Sequence, residues 1–340
     1  MKKSLLLPLL GGVTCLLFAC GGGRKVPDPE VTDVSLTFKR FDRSLFDSQD
    51  GISPARVKEL RGEYGEFFDL FCMNMIRIPD STDEGLAAEL SRFVTDPEVR
   101  ALQRKIDSVY ASTASAEQKL LEFVTYHKHH FPDRSVPAVY AYNSAFNYAV
   151  VATDSVIGVG LEMFLGENEE SYSLLGYPKY MFRTFSPEYI PVACAKGWFQ
   201  SDHDPSGVKG DLISQMVYHG KMLYYLGQML PSCHDSLITG YSAGQLDWCT
   251  ENEARIWSFF IERKLLFSTD PSEYVKYVND GPTTSGFPPE SPGKIGAWIG
   301  WQIVNKFMDK HPEVTLDSLL KINDAVKVLE GSSYKPERGT

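Results

Sequence analysis

Two histidines in one predicted helix have the spacing of metal ligands. His127 and His130 are three residues apart, so both imidazoles would project from the same helix face. The position is also typical of a helix C-terminus, where cationic side chains meet the last carbonyl groups. Two histidines without a third ligand nearby rarely hold zinc, so we interpret this cluster as a solvated cap.

A second cluster begins like a calcium-binding loop. Asp202 and Asp204 supply carboxylates at the first and third positions, and Gly207 stands at the sixth. The twelfth position, where such a loop needs a bidentate acid, is Ile213. We therefore expect an acidic surface turn that caps the next helix, and not a cation site.

Several other catalytic signatures are absent from the sequence. It contains no phosphate-binding loop, no dinucleotide fingerprint, no H-E-x-x-H and no C-x-x-C. Lysine and arginine number 34 against 44 aspartate and glutamate, which gives a net charge of -10. Because nucleic-acid affinity depends on phosphate neutralisation, we exclude a nucleic-acid partner. Neither a metal nor a cofactor is expected.

The N-terminus has the pattern of a lipoprotein signal peptide. Lys2 and Lys3 precede the apolar stretch 5–18, which is too short to span a bilayer, and Cys20 follows Ala19 as in a lipobox. We expect cleavage after residue 19, acylation of Cys20, a flexible tether over residues 20–33 and one globular domain over 34–336.

Four cysteines remain in the expected mature chain besides the lipidated one: Cys72, Cys194, Cys233 and Cys249. An oxidising periplasm would permit a disulfide, and Cys233 with Cys249 is the nearest pair in sequence. We favour the alternative that all four are buried free thiols.

The elements that must position any site are mostly helices. Helical spacing runs from Pro54 to Phe71 behind a Ser53 cap, and further helices are predicted near 86–94, 102–110, 115–131, 211–230, 242–267 and 292–310. Strand patterns occupy 34–38, 136–142, 148–153 and 156–163, followed by an irregular segment at 166–191. We therefore predict an α+β fold, predominantly helical, with a small mixed sheet.

Several short motifs in order resemble the gliding motility lipoprotein family of GldB type. They include Phe38 to Asp42, Tyr64 to Phe68, Phe146 to Val150, Gly176 to Tyr180, Gly220 to Tyr224, Phe267 to Pro271 and Ser285 to Gly300. The resemblance implies a periplasm-facing outer-membrane lipoprotein of Bacteroidota, associated with gliding motility and the type IX secretion apparatus. It implies no molecular activity.

The C-terminal half also resembles, more distantly, zincin-type predicted zinc peptidases. Their H-E-x-x-H window corresponds here to Tyr218 to Met222, so Tyr218 and Met222 would stand at the ligand positions and His219 at the base position. A phenol and a thioether do not replace two imidazoles around zinc, and Lys221 adds positive charge. The resemblance therefore implies a zincin-like fold with a lost metal site, a pseudo-protease.

The residues of that window could still line a cleft for a peptide or glycan. The candidate cleft comprises Tyr218, His219, Lys221, Met222, Glu251 and Glu253. The alternative is that the polar members are solvent-facing positions of an amphipathic helix. The glycines at 293, 296 and 300 favour close helix packing over a ligand loop.

We predict a non-catalytic outer-membrane lipoprotein that assists the assembly or maintenance of motility and secretion machinery. Its expected partners are the membrane, through Cys20, and envelope proteins of that machinery. Two alternatives remain open: a zinc-dependent hydrolase with unrecognised ligands, drawn from His127, His130 or His219, and a periplasmic module that binds peptides or peptidoglycan.

Overall fold

A computed structural model describes residues 26–30 and 33–337 of the 340-residue chain. The predicted signal peptide and Cys20 lie outside the described residues, as do positions 31 and 32 of the predicted tether. Over the described part the protein is predominantly helical with one small mixed sheet, which confirms the predicted α+β class.

The N-terminal part packs a short strand against a group of helices. These elements are β1 (Phe38–Arg40), α1 (Phe41–Phe46), α2 (Pro54–Tyr64), α3 (Glu66–Asp69), a π-helix (Leu70–Met75), α4 (Asp83–Thr95), α5 (Pro97–Val109) and α6 (Ala114–His130). Ser53 caps α2 as predicted, because its side chain accepts a hydrogen bond from the Arg56 amide. Pro54 then occupies the first helical position, where no amide donor is needed.

A four-stranded sheet follows α6. Its later strands are β2 (Ala138–Tyr142), β3 (Val150–Ala152) and β4 (Val156–Gly160), in the order β1-β2-β4-β3. The β1 and β4 strands pair in parallel with β2, and β3 runs antiparallel to β4. The strands predicted between residues 136 and 163 are confirmed, each somewhat shorter than its sequence pattern.

Alternating side chains of the sheet face two separate cores. Val139 and Ala141 belong to the large core, which α5 and α6 form together with the C-terminal helices. Tyr140 and Tyr142 face the N-terminal helices, where the Tyr140 ring lies 4.8 Å from that of Phe67 between centroids. The sheet therefore joins the N-terminal helices to the body that carries the candidate site.

The C-terminal body consists of helices and short 3-10 turns. The helices are α7 (Glu170–Leu174), α8 (Ile190–Asp202), α9 (Leu212–Met229), α10 (Asp235–Thr239), α11 (Ala243–Glu251), α12 (Glu253–Glu262), α13 (Pro271–Val278), α14 (Ile295–Lys310), α15 (Leu316–Lys321) and α16 (Ala325–Ser332). The 3-10 turns are Leu161–Phe164, Lys179–Phe185, Pro187–Tyr189 and Pro205–Gly207. The central pair is α9 with α14, and both are almost entirely buried.

The prediction missed several short helices, and two longer helical segments also differ from it. The α8 helix occupies residues that the sequence pattern left partly irregular and partly unassigned. Its buried residues lie on most of its faces, so the helix shows no polar stripe from which to recognise it. The predicted helix 242–267 is divided at Asn252 into α11 and α12.

Three of the cysteines are buried thiols, as we favoured from the sequence. Cys72, Cys194 and Cys249 are free and fully buried, and burial raises the pKa of each thiol to about 12. Because Cys249 is free, the possible disulfide with Cys233 is not formed.

Candidate functional site

A cleft of about 260 Å³ opens between α8, α9 and α10. Its walls are largely apolar side chains from these helices and from the segment before α8, among them Phe164, Phe185, Val192, Leu223, Leu226 and Leu237. Three irregular backbone segments form its rim, at 239–241, 280–282 and 292–294. A chamber of about 50 Å³ adjoins the cleft and shares Lys196, Met222 and Lys294 with it.

Four titratable side chains lie where the cleft meets the chamber. The α8 helix supplies Lys196, α9 supplies His219, and the segments before α14 supply Asp280 and Lys294. The Lys294 ammonium forms an ion pair with Asp280, with 2.7 Å between Nζ and Oδ1. Lys294 has a φ of 47°, in the left-handed region that residues with a Cβ seldom adopt.

The pKa shifts in this group follow from burial and from the two lysines. Burial lowers the pKa of His219 to about 4, and the positive charges of Lys196 and Lys294 act in the same direction. His219 is therefore neutral at pH 7. Burial also lowers the pKa of Lys196, with a further contribution from Lys294 that Asp280 opposes. For Asp280, burial would raise the pKa, but Lys294 and Lys196 outweigh it and the pKa is lowered.

Of the two lysines that line the cleft, Lys196 has no directly paired anion. Asp280 is ionised because its pKa is lowered, and it is paired directly with Lys294. No described residue makes a hydrogen bond or a close ion pair with the ammonium group of the half-buried Lys196. Asp280 attracts this ammonium only at longer range. An anionic group that enters the cleft would therefore meet an available cation beside apolar walls.

Hydrogen bonds fix the rim segments relative to one another. The Tyr241 hydroxyl donates to the Gly293 carbonyl oxygen at 2.6 Å and thereby joins the rim segments 239–241 and 292–294. The Thr284 hydroxyl donates to the Pro292 carbonyl oxygen at 2.6 Å. A Cβ on Gly293 would lie 2.3 Å from the Gly281 carbonyl oxygen, so only glycine permits this approach. The rim is therefore preorganised.

The six residues of the predicted cleft do not all meet at one place. His219 and Met222 line the chamber. Tyr218 and Lys221 instead line a separate pocket of about 220 Å³. There the Tyr218 hydroxyl donates to the His203 carbonyl oxygen at 2.8 Å, and the Lys221 ammonium donates to the Ile322 carbonyl oxygen. Burial lowers the pKa of Lys221 to about 8.

The two glutamates of the prediction stand apart from His219. Glu251 is exposed at the end of α11. Glu253, at the start of α12, accepts a hydrogen bond from the Tyr334 hydroxyl at 2.7 Å. Among the described residues that line the cleft and the chamber, the only acidic one is Asp280.

The interpretation of His127 as part of a solvated cap was wrong. The α6 helix does end at His130, but the His127 side chain is only 1% exposed and packs between Phe131 and Trp198. Neither of its ring nitrogens has a hydrogen-bond partner among the described residues. Burial lowers the pKa of His127 to about 4, and that of His130 likewise. Packing between helices therefore buries His127 as a neutral side chain, although cationic side chains are favoured at a solvent-exposed helix C-terminus.

The loop at 202–207 is a surface turn, as predicted. Asp204 accepts a hydrogen bond from the Ser206 amide at 2.7 Å, and Asp202 ends α8 in an ion pair with Arg134. The prediction that this turn caps the next helix was wrong: Asp211, which directly precedes α9, caps it by accepting a hydrogen bond from the Ser214 amide at 2.9 Å. Within residues 26–30 and 33–337, no group of three or more His, Cys, Asp or Glu side chains has the arrangement of a metal site.

Sequence reasoning identified His219 but missed the other three members of this group, Lys196, Asp280 and Lys294. Lys196 lies on the unrecognised α8, and Asp280 lies in a segment for which no helix or strand was predicted. Lys294 was placed inside the predicted helix 292–310, which begins only at Ile295. The one available signal was the acid and base flanking the glycine- and proline-rich segment 281–293, but nothing local indicated that they pair.

The fold and the site define a predominantly helical α+β protein with a cleft that combines apolar walls and lysines. Comparison with protein families then identifies the group: the model described as gliding motility protein GldB matches residues 23–336, and the chain belongs to this family. The resemblance noted in the sequence is confirmed. Comparison with curated proteins gives no match, and comparison with solved structures gives none. No helix within the described ranges is long and apolar enough to cross a membrane.

Proposed function

We propose that this member of the gliding motility lipoprotein family is a non-catalytic binding protein. It would sit on the periplasmic face of the outer membrane and assist the assembly or maintenance of the motility and type IX secretion machinery. The observation that carries this proposal is the preorganised cleft, in which apolar walls surround the uncompensated charge of Lys196. Such a site is suited to hold part of another envelope protein.

The titratable groups of the cleft favour binding over proton transfer. A general base works best when its pKa lies near the operating pH, whereas the pKa of His219 is about 4. The Asp280 carboxylate, the one acid that could orient this imidazole, is paired with Lys294. Its pKa is lowered, so it is also a weak proton acceptor.

The proposal includes descent from a zincin-type peptidase. His219 and Met222 face the chamber, so part of the window that resembles H-E-x-x-H does border the cleft. Tyr218, at the other ligand position, is held by its hydrogen bond to the His203 carbonyl oxygen. Metal analysis of the purified protein after dialysis tests this part, because stoichiometric zinc would favour the hydrolase alternative.

The anchor is proposed to be the lipid on Cys20. The first described residues already join the body: Val26 packs against the large core, and the Glu30 amide donates to His129 Nδ1 at 3.3 Å. Five residues lie between Cys20 and Val26, and an extended chain covers at most about 3.5 Å per residue. Val26 would then stay within roughly 20 Å of the lipidated residue.

Depletion of the protein in its own cell tests the proposed function. We expect secreted proteins to be lost from the cell surface. The wild-type gene should restore their secretion, and a gene encoding Lys196→Met should not. Lys327→Met is the matched control, because Lys327 is an exposed lysine of α16 remote from the cleft lining. Normal secretion after depletion, together with purification that retains no envelope protein, would contradict the proposal.

A further inference from the structure

We propose that the cleft binds the C-terminal end of a polypeptide, with an apolar last residue against the walls and the free α-carboxylate on Lys196. This inference rests on the proposed function, since it takes the cleft to be the site of partner binding. It adds the chemical identity of what is bound: a free carboxyl terminus on an apolar side chain.

The charge of the cleft fits one carboxylate. The attraction between Lys294 and Asp280 is satisfied within the protein, which leaves Lys196 as the available cation. One carboxylate would neutralise it through a charge-assisted hydrogen bond, which is stronger than a bond between neutral groups. A dianionic phosphate would instead bring an excess negative charge next to Asp280.

The size of the apolar part fits one large side chain. An apolar cavity of about 150 Å³ is sufficient to accommodate benzene. The cleft, at about 260 Å³, has room for a leucine or phenylalanine side chain together with its carboxylate and the preceding peptide unit. Phe185, Leu226 and Leu237 supply the hydrophobic contacts on the walls.

The rim favours a peptide over a fatty acid. A peptide has backbone amides and carbonyls that must find partners when it leaves water, whereas an acyl chain has none. The rim offers the irregular segments 239–241, 280–282 and 292–294, together with the Gln245 side chain. Because hydrogen bonds already fix two of these segments, little ordering is required when the ligand binds.

Peptide binding to the full-length protein carrying Cys20→Ala tests the inference. The probe is a fluorescein-labelled glycine-serine peptide that ends in phenylalanine with a free carboxylate, followed by fluorescence anisotropy. We expect saturable binding that weakens at least tenfold when the same peptide is amidated at its C-terminus. The comparison needs no protein variant, so it does not depend on how any substitution folds.

Variants then locate the contact. Lys196→Met should weaken binding of the acid at least tenfold and leave the amide unchanged, while Lys196→Arg and Lys327→Met should keep affinity within threefold. Equal binding of acid and amide, or no effect of Lys196→Met, would overturn the inference. Displacement of the peptide by decanoate at lower concentration than by unlabelled peptide would also overturn it, in favour of a fatty acid.

The outcomes distinguish this inference from the proposed function. If no peptide binds but Lys196→Met still abolishes secretion in cells, the cleft serves the machinery through another ligand and only the C-terminus inference fails. If cells that carry the Lys196→Met variant secrete normally, the proposed function of the cleft itself is contradicted.

Discussion

Gly220 and Gly300 bring the backbones of the two central helices into direct contact. A Cβ on Gly220 would lie 2.2 Å from the Gly300 carbonyl oxygen, and a Cβ on Gly300 would lie 1.8 Å from the Met216 carbonyl oxygen. This close crossing of α9 and α14 confirms the packing role predicted for Gly300. It also sets the position of His219, which precedes Gly220 and lines the chamber together with residues of α14.

Gly300→Ala should therefore destabilise the fold strongly. The added methyl group has no space unless the helices separate, and overpacking of this kind costs roughly 3 kcal/mol or more. Urea unfolding followed by circular dichroism measures the change. Gly62→Ala is the control: Gly62 is exposed in α2 with nothing within 4 Å of the added Cβ, so we expect a gain of up to about 1 kcal/mol. Equal effects at the two positions would contradict the packing account.

Glu162 should make the fold less stable as the pH rises. It is fully buried, and its Oε1 accepts hydrogen bonds from the Ser144 amide and hydroxyl and from the Phe146 amide. Burial raises its pKa to about 7, against the effect of these hydrogen bonds. Because the folded-state pKa lies above the ordinary value of 4.5, this contribution to stability is fully present below pH 4.5 and is lost as the pH rises through 7.

Glu162→Gln should remove that contribution to the pH dependence. Glutamine keeps an oxygen acceptor for the same donors but cannot ionise. Between pH 4.5 and 8, we expect the free energy of unfolding of the wild type to fall by roughly 3 kcal/mol relative to the variant. A constant difference between the two proteins over this range would show that the pKa of Glu162 is not raised in the folded state.

His127 should act in the opposite direction. Its folded-state pKa of about 4 lies below the ordinary value of 6.5, so its contribution is fully present above pH 6.5 and is lost as the pH falls towards 4. His127→Phe removes the titrating ring from a site already lined by Phe131 and Trp198. Between pH 6.5 and pH 4, we expect the free energy of unfolding to fall by roughly 3 kcal/mol less in the variant than in the wild type. Urea unfolding measures this difference. Parallel pH profiles would be inconsistent with a buried neutral imidazole.

Cys20→Ala should release the protein from the membrane without unfolding it. The proposed lipid is the anchor, and no helix within the described ranges could span a bilayer. Cell fractionation followed by immunoblotting measures this directly. Cys15→Ala is the matched control, because Cys15 lies in the signal peptide that we expect to be cleaved, so this variant should stay with the membrane. Retention of Cys20→Ala after a salt wash would instead indicate a tight protein contact.

Local patterns in the sequence predicted much of the fold. Ser53 and Pro54 indicated the start of α2, and the β-branched runs before and after Thr153 indicated the strands. Both signals depend on neighbours along the chain, so they can be recognised without knowing the tertiary contacts. The α8 helix could not be recognised in this way, because its surroundings bury most of its faces and leave no amphipathic period.

The site was less predictable because it is assembled from distant parts of the chain. Lys196 and Lys294 are 98 residues apart in sequence, and their shared environment exists only once α8 packs beside α9 and the rim closes. His219 was identified from its place in a degenerate motif, whereas Asp280, which lines the same chamber, belongs to no motif. The predicted end of the helix that carries His127 was correct. The spacing of residues in the sequence could not show that Trp198 covers the imidazole ring of His127.

Photocrosslinking from the cleft in living cells tests the central claim most directly. A benzophenone side chain replaces Tyr180, which is partly exposed on the cleft, or Phe267, which is exposed but not part of its lining. We expect a defined adduct with an envelope protein from position 180 and not from position 267. The same adduct should be lost when Lys196→Met is added and retained when Lys327→Met is added. Identical adducts from both positions, or an adduct from position 180 that survives Lys196→Met, would contradict binding through the cleft.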